Sequence, residues 1–400
     1  MDSERKIDLS IIIPAFNAEK YLGRCLKSVL GAVSLAGGGS EGVREAGSAG
    51  DLVNTRGLTG PTRVVSEILV IDNGSRDKTL LVADKWQKEA VALKKAGVNI
   101  KFKVFSCEKT GASAARNFGF SKAQGEFVWF IDADDAITEE AIVKLIAEAR
   151  GARGQVETGA NKGAESNARA DVGKKITLAV ADLVMMGVER IYADGHRDYL
   201  SAVRVDEPDF KSRFVRYGAG PWQFLIRRAW WQEHGFSFHE GIIHEDMELI
   251  SSLILFTDRF ASVDKPLYFY YQNAGSVLHK TEFNPHIFDI FPALEGLYQR
   301  FEQVPADATT QRVTPEMSRE KSRGASAAEE FCDELEWFFI WNLLIDSAKD
   351  FRAFREGRVG FSRARKMLRD YFPEWRRNRF LAEKPLKLRL RVRLNYCRWR

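Results

Sequence analysis

Three carboxylates stand together in the run Asp132-Ala133-Asp134-Asp135, directly after the apolar stretch Glu126–Ile131. The last residues of a strand in a parallel sheet lie at the edge where such sheets bind ligands. Closely spaced carboxylates favour a hard divalent cation, and Mg²⁺ or Mn²⁺ would keep coordination positions for the oxygens of a diphosphate. The alternative interpretation is a solvated strand-to-helix turn in which an aspartate caps the helix.

Polar side chains also follow two earlier strands. The first runs into Pro14-Ala15-Phe16-Asn17-Ala18-Glu19, and the second into Asp72-Asn73-Gly74-Ser75. Three strands would then deliver polar groups to one edge, which is the layout of a nucleotide pocket. Asp72 can accept the imide N–H of uracil, and Gly74 permits the tight turn that leaves the sheet. Taken alone, the second run is also an ordinary turn.

A segment of small residues, Gly111–Gly119, opens the next helix and contains Arg116. Small side chains in a first helical turn let a ligand approach free backbone N–H groups, and the arginine suits an anion or a base edge. The same small side chains also suit close packing of the helix on the sheet. The two interpretations are compatible with each other.

An acidic triplet, His244-Glu245-Asp246, precedes an apolar helical pattern. The dipole at a helix start favours ionised acids. A carboxylate there can take the proton of a hydroxyl nucleophile in the transition state, and we assign this role to Asp246. The alternative is a set of acids that only cap the helix.

Four short, β-rich apolar runs must position these groups, namely Leu9–Ile13, Glu67–Ile71, Ile100–Phe105 and Glu126–Ile131. A polar or helical segment follows each run, and this alternation predicts a parallel α/β sheet. Apolar residues recur at helical spacing between the first two runs. The fold is therefore predicted to begin with a β-α-β unit.

Three segments rich in Gly, Ala and Ser interrupt this order, at about 31–66, 151–175 and 303–328. We predict that they are flexible surface insertions. The predicted organisation is a catalytic domain over residues 1–280, which holds the first two insertions, and a helical, basic region over residues 281–400, which holds the third.

Composition limits the class of protein. The 400 residues are 45% apolar, enough for a sizeable core, and no apolar run reaches the roughly 18 residues of a membrane-spanning helix. The N-terminal apolar run is short and is broken by Pro14, unlike a secretory signal. The four cysteines lack the spacing of a zinc site or a disulfide framework. We therefore expect a cytoplasmic enzyme with reduced thiols.

The net charge of +5 is distributed unevenly, because residues 351–400 hold 17 Lys and Arg against 4 Asp and Glu. Over residues 386–394 apolar and basic side chains alternate, which is a strand period. Apolar groups beside cations suit an anionic membrane surface, which residues 384–400 would contact. The alternatives are a solvated edge strand protected by its charge and RNA binding. No recognisable RNA-binding module accompanies the charge, so we expect no nucleic-acid partner.

Taken in chain order, these runs resemble the motifs of family 2 inverting glycosyltransferases of GT-A fold, which act in bacterial capsule, exopolysaccharide and cell-wall glycan synthesis. The runs that carry the resemblance are Ser10–Leu22, Ile71–Asp77, Gly111–Gly119, Asp132–Asp135 and His244–Asp246. It covers roughly residues 9–277, including 220–228 and 265–271. The resemblance implies an α/β fold of GT-A type, with a Rossmann-like mixed sheet flanked by helices and a helical C-terminal appendage.

On the donor side, the resemblance implies that Asp72 and Arg116 help to hold the nucleobase end of a nucleotide sugar. The pocket for that end would be shaped by Pro14, Phe16, Asn17 and Glu19. Asp132 would contact the ribose or the metal, and Asp134 would be the principal ligand of a divalent metal, Mn²⁺ or Mg²⁺, in an Asp-x-Asp motif.

On the acceptor side, the resemblance implies that Asp246 is the catalytic base and that its neighbour Glu245 contacts the acceptor. Trp222 would offer a stacking surface to a sugar ring, and His244 would brace the loop. The acceptor would be a glycan or a lipid-linked glycan, reached at the inner face of the cell membrane.

Two positions depart from the family's pattern. Asn73 stands where an acid often follows Asp72, which bears on the choice of nucleobase. Gln272 follows Tyr271 where an arginine is common, which leaves open the cation that steadies the departing diphosphate.

The predicted reaction is a single displacement that inverts the anomeric centre, with uridine diphosphate as the favoured leaving group. Two other functions compete with it. A nucleotidyltransferase on a similar fold would release pyrophosphate, and a non-catalytic module would bind a nucleotide sugar without turnover.

Overall fold

Parallel β-α-β units build the first half of the fold and confirm the four predicted strands. The computed structural model of the chain describes residues 6–38, 63–151, 180–272 except 205 and 208, 283–305 and 326–397. The opening elements are β1 (Leu9–Ala15), α1 (Leu22–Gly37), β2 (Ser66–Asp72), α2 (Thr79–Lys95), β3 (Ile100–Ser106), α3 (Ala112–Lys122) and β4 (Phe127–Phe130).

The later strands turn this parallel half into a mixed sheet. They are β5 (Ala136–Ile137), β6 (Leu183–Ile191), β7 (Arg197–Leu200), β8 (Phe224–Arg227) and β9 (Phe260–Tyr271). Within the described residues the sheet has nine strands in the order β3-β2-β1-β4-β8-β6-β9-β5, with β7 paired to β6. Strand β1 runs parallel to β2 and β4, whereas β8 is antiparallel to β4 and β6. The predicted fold class, a mixed α/β sheet flanked by helices, is confirmed.

Strand register brings the polar loops to one edge of the sheet. Ala15 at the end of β1 pairs with Asp72 at the end of β2, and Ile12 pairs with Phe130 at the end of β4. Since the three strands are parallel, the residues that follow each of them lie at the same edge. The carboxylates that the sequence predicts to bind ligands belong to these strand ends.

Helices cover both faces of the sheet. On one face, α1 and α4 (Ala141–Gly151) bury apolar side chains such as Leu26 and Leu145 against Ile11 and Ile13 of β1. On the other face, α3 shares a second core with α5 (Phe210–Tyr217), α6 (Arg228–Glu233) and α7 (Glu245–Leu249).

The C-terminal region is helical, as predicted. Its helices are α8 (Ile290–Gln303), α9 (Ala327–Glu330), α10 (Cys332–Trp341), α11 (Ala348–Ala353), α12 (Val359–Tyr371), α13 (Arg379–Ala382) and α14 (Leu386–Cys397). Buried Leu294, Leu297 and Phe339 belong to the same core as Leu249 and Ile250. The predicted domain boundary falls among residues 273–282, outside the described residues. Across the described ranges, no helix has the length and apolar character needed to cross a bilayer.

The predicted insertions begin and end within regular structure. Helix α1 continues to Gly37 because Val33 and Ala36 extend its buried face, so residues 31–37 are helical rather than part of an insertion. Likewise Ser66 opens β2, Gly151 closes α4, and α9 begins at a capping box formed by Ser326. The intervening residues, 39–62, 152–179 and 306–325, lie outside the described residues.

The alternating tail is a helix, α14, as expected for the helical C-terminal region, although its apolar and basic residues alternate with the period of a strand. Packing overrides the local pattern here, because Val392 and Asn395 are buried. The Asn395 amide donates to the carbonyl oxygen of Leu344 at 2.7 Å, which fixes the helix against the preceding segment. Leu386, Leu390 and Leu394 remain exposed.

Candidate active site

Side-chain hydrogen bonds join the loops that follow β1 and β2. Oδ1 of Asn17 accepts from the Arg76 amide at 2.9 Å, and Oε2 of Glu19 accepts from the Lys78 amide at 3.0 Å. Asn17 adopts a φ of +48°, which asparagine tolerates better than most residues. These two side chains therefore hold the loops in place. The neighbouring side chain of Phe16 is 60% exposed.

Asp72, the last residue of β2, and Asn73, which follows it, are buried. Pro14 pairs with Ile71, the residue that precedes them. Oδ1 of Asn73 accepts from the Gly111 amide at 2.6 Å, and its Nδ2 donates to the Lys109 carbonyl oxygen. A carboxylate could not donate the second of these bonds. Asparagine at this position therefore fixes the segment that leads into α3.

Asp135, the last acid of the cluster, has a structural role. It is fully buried, and it accepts from the Tyr268 hydroxyl at 2.6 Å and from the Tyr271 amide at 2.8 Å. Burial, with a smaller contribution from Asp132 and Asp134, raises the pKa of Asp135 well above its usual value. The acids that face the edge are therefore Asp132 and Asp134.

Asp132 and Asp134 are partly exposed, as the predicted Asp-x-Asp motif requires. Across the described ranges, no cluster of three or more His, Cys, Asp and Glu side chains forms a complete metal site. Two carboxylates still fit a hard divalent cation, because Mg²⁺ and Mn²⁺ accept phosphate oxygens and water as the remaining ligands. The donor set suits a cation that binds together with a diphosphate.

A cation that is not among the predicted site residues lies beside this pair. Arg24 in the first turn of α1 donates from Nη2 to the Asp134 carbonyl oxygen, and its guanidinium lies 3.5 Å from the centre of the Tyr271 ring. No local motif marks this arginine. Its position follows from the packing of α1 next to the end of β9.

Arg116 links the acid pair to the acidic triplet. Its Nη2 donates to Oδ1 of Asp132 at 2.8 Å, and its Nη1 donates to Oε1 of Glu245 at 2.5 Å. Burial acts to lower the pKa of Arg116, but Asp132 and Glu245 raise it above its ordinary value. Arg116 thus bridges two carboxylates, and its predicted contact with the nucleobase end of the donor stays a prediction.

Asp246 lies in the first turn of α7, where its Oδ1 accepts from the Met247 amide at 2.9 Å. Burial and then the neighbouring Glu245 raise the pKa of Asp246 to about 7, against the opposing charge of Arg116. The helix dipole was expected to keep this acid ionised. Helix α7 has five residues, and its dipole is outweighed by burial and by the like charge.

His244 precedes α7 in a left-handed backbone conformation, with a φ of +77° that residues other than glycine seldom adopt. Burial lowers the pKa of His244, although Glu245 and Asp289 act in the opposite direction. Glu245 and Asp246 follow this turn directly as the first two residues of α7.

Trp222 lies next to the acid cluster. Its ring stacks on Tyr268 and Tyr270 of β9, with ring centres 5.0 and 5.2 Å apart, and its carbonyl oxygen accepts from Nε1 of Trp129 at 2.7 Å. The Tyr268 hydroxyl binds Asp135 and accepts from the Asp132 amide at 3.2 Å, so the tryptophan predicted to contact the acceptor shares its surroundings with the acid cluster.

Comparison with known proteins identifies relatives of this chain. The family model described as glycosyl transferase family 2 matches residues 10–176. GlyG of Streptococcus pneumoniae serotype 4, named a glycosyltransferase, is 22% identical over 288 residues, which cover 69% of this chain and 74% of GlyG. TarS of Staphylococcus aureus, a poly(ribitol-phosphate) β-N-acetylglucosaminyltransferase, is 26% identical over 133 residues, which cover 33% of this chain and 17% of TarS.

The fold is similar to a solved structure over nearly its whole length. The crystal structure of S. aureus TarS 1–349 in complex with UDP-GlcNAc superposes with a TM-score of 0.57 at 16% identity, covering 98% of this chain and 89% of that one. At this level of identity the comparison concerns the fold, and its coverage extends over the C-terminal helices.

Proposed function

We propose, from the premise that the chain is a glycosyltransferase of family 2, that it moves a sugar from a uridine diphosphate donor to a hydroxyl of a cell-surface glycan acceptor with inversion. One observation carries this proposal. Buried Arg116 joins Asp132, at the predicted donor side, to Glu245, the neighbour of the base Asp246.

The proposed donor site lies between the loops after β1 and β2. Asp72 would accept the imide N–H of uracil, and the exposed ring of Phe16 would cover a face of the base. Asn17 and Glu19 would act indirectly by holding the two loops together. The TarS structures contain UDP and UDP-GlcNAc, which supports a uridine nucleotide here.

Asp134 and Asp132 would hold Mg²⁺ or Mn²⁺ together with the diphosphate. When bound, the cation would neutralise the charge that develops on the leaving diphosphate. Arg24 adds a positive charge next to Asp134 and occupies a place near Tyr271, where the chain lacks the family's common arginine. We propose that Arg24 takes part in steadying the diphosphate.

The proposed chemistry is a single displacement. As the acceptor oxygen forms its bond to the anomeric carbon, its proton passes to the carboxylate of Asp246 and the bond from that carbon to the diphosphate oxygen breaks. Attack opposite the leaving group inverts the centre. Glu245 and the ring of Trp222 would orient the acceptor, and His244 would brace the turn.

We further propose that α14 places the enzyme on an anionic membrane surface, where a lipid-linked acceptor would be found. Leu386, Leu390 and Leu394 are spaced by four residues, so they share one face of the helix, and they are 61%, 48% and 67% exposed. Basic side chains flank this leucine stripe on both sides. They are Lys387, Arg389, Arg391 and Arg393. Exposed leucines beside cations suit an anionic bilayer surface.

The decisive test is the product released from a nucleotide sugar. The full chain would be incubated with Mn²⁺ and a panel of UDP-sugars, first with water as acceptor and then with a bacterial glycan extract. We expect UDP release and a sugar transferred with inverted configuration. Release of pyrophosphate in a parallel incubation with UTP and a sugar 1-phosphate would indicate a nucleotidyltransferase instead, and tight donor binding without any turnover would indicate a binding module.

A further inference from the structure

The segment that carries the proposed base is held in an unfavourable backbone conformation. His244 has a φ of +77°, and Asp246 follows it within the short helix α7. A residue with a Cβ atom persists in this conformation only where surrounding contacts hold it there. The contacts that hold the segment from Ile243 to Glu248 therefore decide where Asp246 lies.

Both ends of that segment are bound by the C-terminal region. At its start, the Ile243 amide donates to Oδ2 of Asp289 at 3.0 Å, and this carboxylate also binds Nδ1 of His286 at 2.7 Å. At its end, Oε1 of Glu248 accepts from Nε and Nη2 of Arg300 at 3.2 and 3.0 Å. Asp289 precedes α8 and Arg300 lies in its last turn, so one helix holds the segment at two points.

Glu248 is packed as well as hydrogen-bonded. Its other carboxylate oxygen lies 2.9 Å from Nδ1 of His239. Gly296 of α8 faces the same carboxyl group, and a Cβ atom at this position would lie 2.7 Å from Cδ of Glu248. A side chain at position 296 would therefore shift the Glu248 carboxyl group away from its partners.

We propose that α8 is an integral part of the active site, in which Gly296 and Arg300 are positioning residues that hold Asp246 through Glu248. This inference rests on the proposed function, since it takes Asp246 as the base. The C-terminal region would then form part of the catalytic site, whereas the sequence predicted it as an appendage.

The charged and titratable groups around Asp246 supply a specific readout. They are Glu245 in α7, Arg116 in α3, Asp132 after β4 and Tyr270 in β9. If Glu248 loses its partners, α7 gains freedom and Asp246 gains water, so its pKa should fall toward the usual range of an aspartate. The acidic limb of the pH profile should then move to lower pH, which a loss of stability alone would not cause.

The experiment compares three variants of the full chain with a matched control. Gly296→Ala displaces the Glu248 carboxylate without removing a hydrogen-bonding group and raises helix propensity, and Arg300→Gln removes the ion pair. Arg300→Lys keeps the charge. The control is Arg377→Gln, which breaks the exposed pair with Glu374 at 3.1 Å in the same region. The donor is the UDP-sugar that gives the fastest UDP release with the native chain.

We expect Gly296→Ala and Arg300→Gln to lower kcat about tenfold at unchanged KM for the donor, because a small misplacement of a catalytic group is costly. Arg300→Lys should retain about a third of the native kcat, and Arg377→Gln all of it. The pH midpoint should shift downward in the first two variants. Hydrogen exchange should accelerate over residues 243–249 but not over residues 112–122.

Native kcat and an unchanged pH midpoint in both Gly296→Ala and Arg300→Gln would overturn the proposal. A uniform loss of donor binding and melting temperature, with no shift of the pH midpoint, would also overturn it. If the native chain released UDP from no UDP-sugar, the proposed function would fail. Exchange over residues 243–249 would then still decide whether α8 holds this segment.

Discussion

Nη1 of Arg116 lies 2.5 Å from Oε1 of Glu245, while Nη2 of the same side chain binds Asp132 at 2.8 Å. One buried guanidinium therefore connects the acid that follows β4 with the acid that precedes the proposed base. Arginine suits this position because its planar fork binds two carboxylates at once, whereas lysine offers a point charge. The proposed donor and acceptor sides of the site are thereby linked to each other.

Asp134 and Asp135 are adjacent in sequence but should respond oppositely to substitution. We expect Asp134→Asn to lower UDP release at least about 100-fold, with a melting temperature within about 2 °C of the native chain, because this side chain lies at the edge of the sheet. Asp135→Ala should instead destabilise the fold by about 1–3 kcal/mol, since the buried Tyr268 hydroxyl loses its acceptor. Undiminished activity in Asp134→Asn, or activity that survives a chelator, would contradict the metal assignment.

The raised pKa of Asp246 predicts a pH dependence with a definite sign. The base works in its ionised form, so kcat/KM should rise with pH and level off above about 7, the pKa that burial and Glu245 give this group. The folded protein holds this proton more tightly than the unfolded chain does. The corresponding stability is full below the unfolded pKa and is lost as pH rises through about 7. Asp246→Asn should therefore melt at a higher temperature than the native chain at pH 8, and the difference should vanish near pH 4. Equal melting temperatures at pH 8 would contradict the burial argument.

His244 should tolerate replacement by residues that adopt positive φ. His244→Gly and His244→Asn should melt within about 2 °C of the native chain, whereas His244→Val should lose about 1–3 kcal/mol because a β-branched residue is strained at a φ of +77°. Thermal unfolding measures the difference. A large loss of activity in His244→Asn with native stability would show that the imidazole has a direct chemical role.

The leucine stripe of α14 should govern membrane binding. The native chain is expected to sediment with vesicles that contain phosphatidylglycerol at low salt and to be released at high salt. Replacing Leu386, Leu390 and Leu394 by serine should abolish sedimentation while leaving UDP release intact. The matched control replaces three exposed leucines elsewhere, Leu35, Leu80 and Leu81. If both triple variants sediment equally, the stripe is not a membrane contact. Substitution is preferable to truncation, because Val392 and Asn395 are buried.

Local sequence patterns were sufficient for the sheet and for the carboxylates at its edge. Runs such as Leu9–Ile13 carry their own β signal, and the acids that follow parallel strands must meet at one edge. Local sequence patterns did not predict features that depend on contacts between residues far apart in the chain. The tail alternates like a strand, but it is a helix that buries Val392 and Asn395, and the Asn395 amide binds Leu344, 51 residues earlier in the chain. Arg116 lies in a recognisable motif, yet its partners come from separate segments and could not be read from spacing.

The contacts of α8 with Glu248 could not be predicted from the sequence either. Glu248 and Arg300 are 52 residues apart, and neither belongs to a run that marks catalysis. From the sequence alone, Gly296 is a residue of low helix propensity within a helix. The close approach of Gly296 to the Glu248 carboxyl group becomes visible only in the folded structure.

Asp246 is the proposed base, and a comparison of Asp246→Asn with Glu245→Gln tests this assignment most directly. Donor affinity and UDP release would be measured for both variants with the same UDP-sugar and Mn²⁺. We expect Asp246→Asn to bind the donor as the native chain does and to lose at least about 1,000-fold in kcat, because it keeps the shape of the side chain without its proton-accepting group. Glu245→Gln should keep measurable turnover. An inactive Glu245→Gln beside an active Asp246→Asn would contradict the assignment of the base.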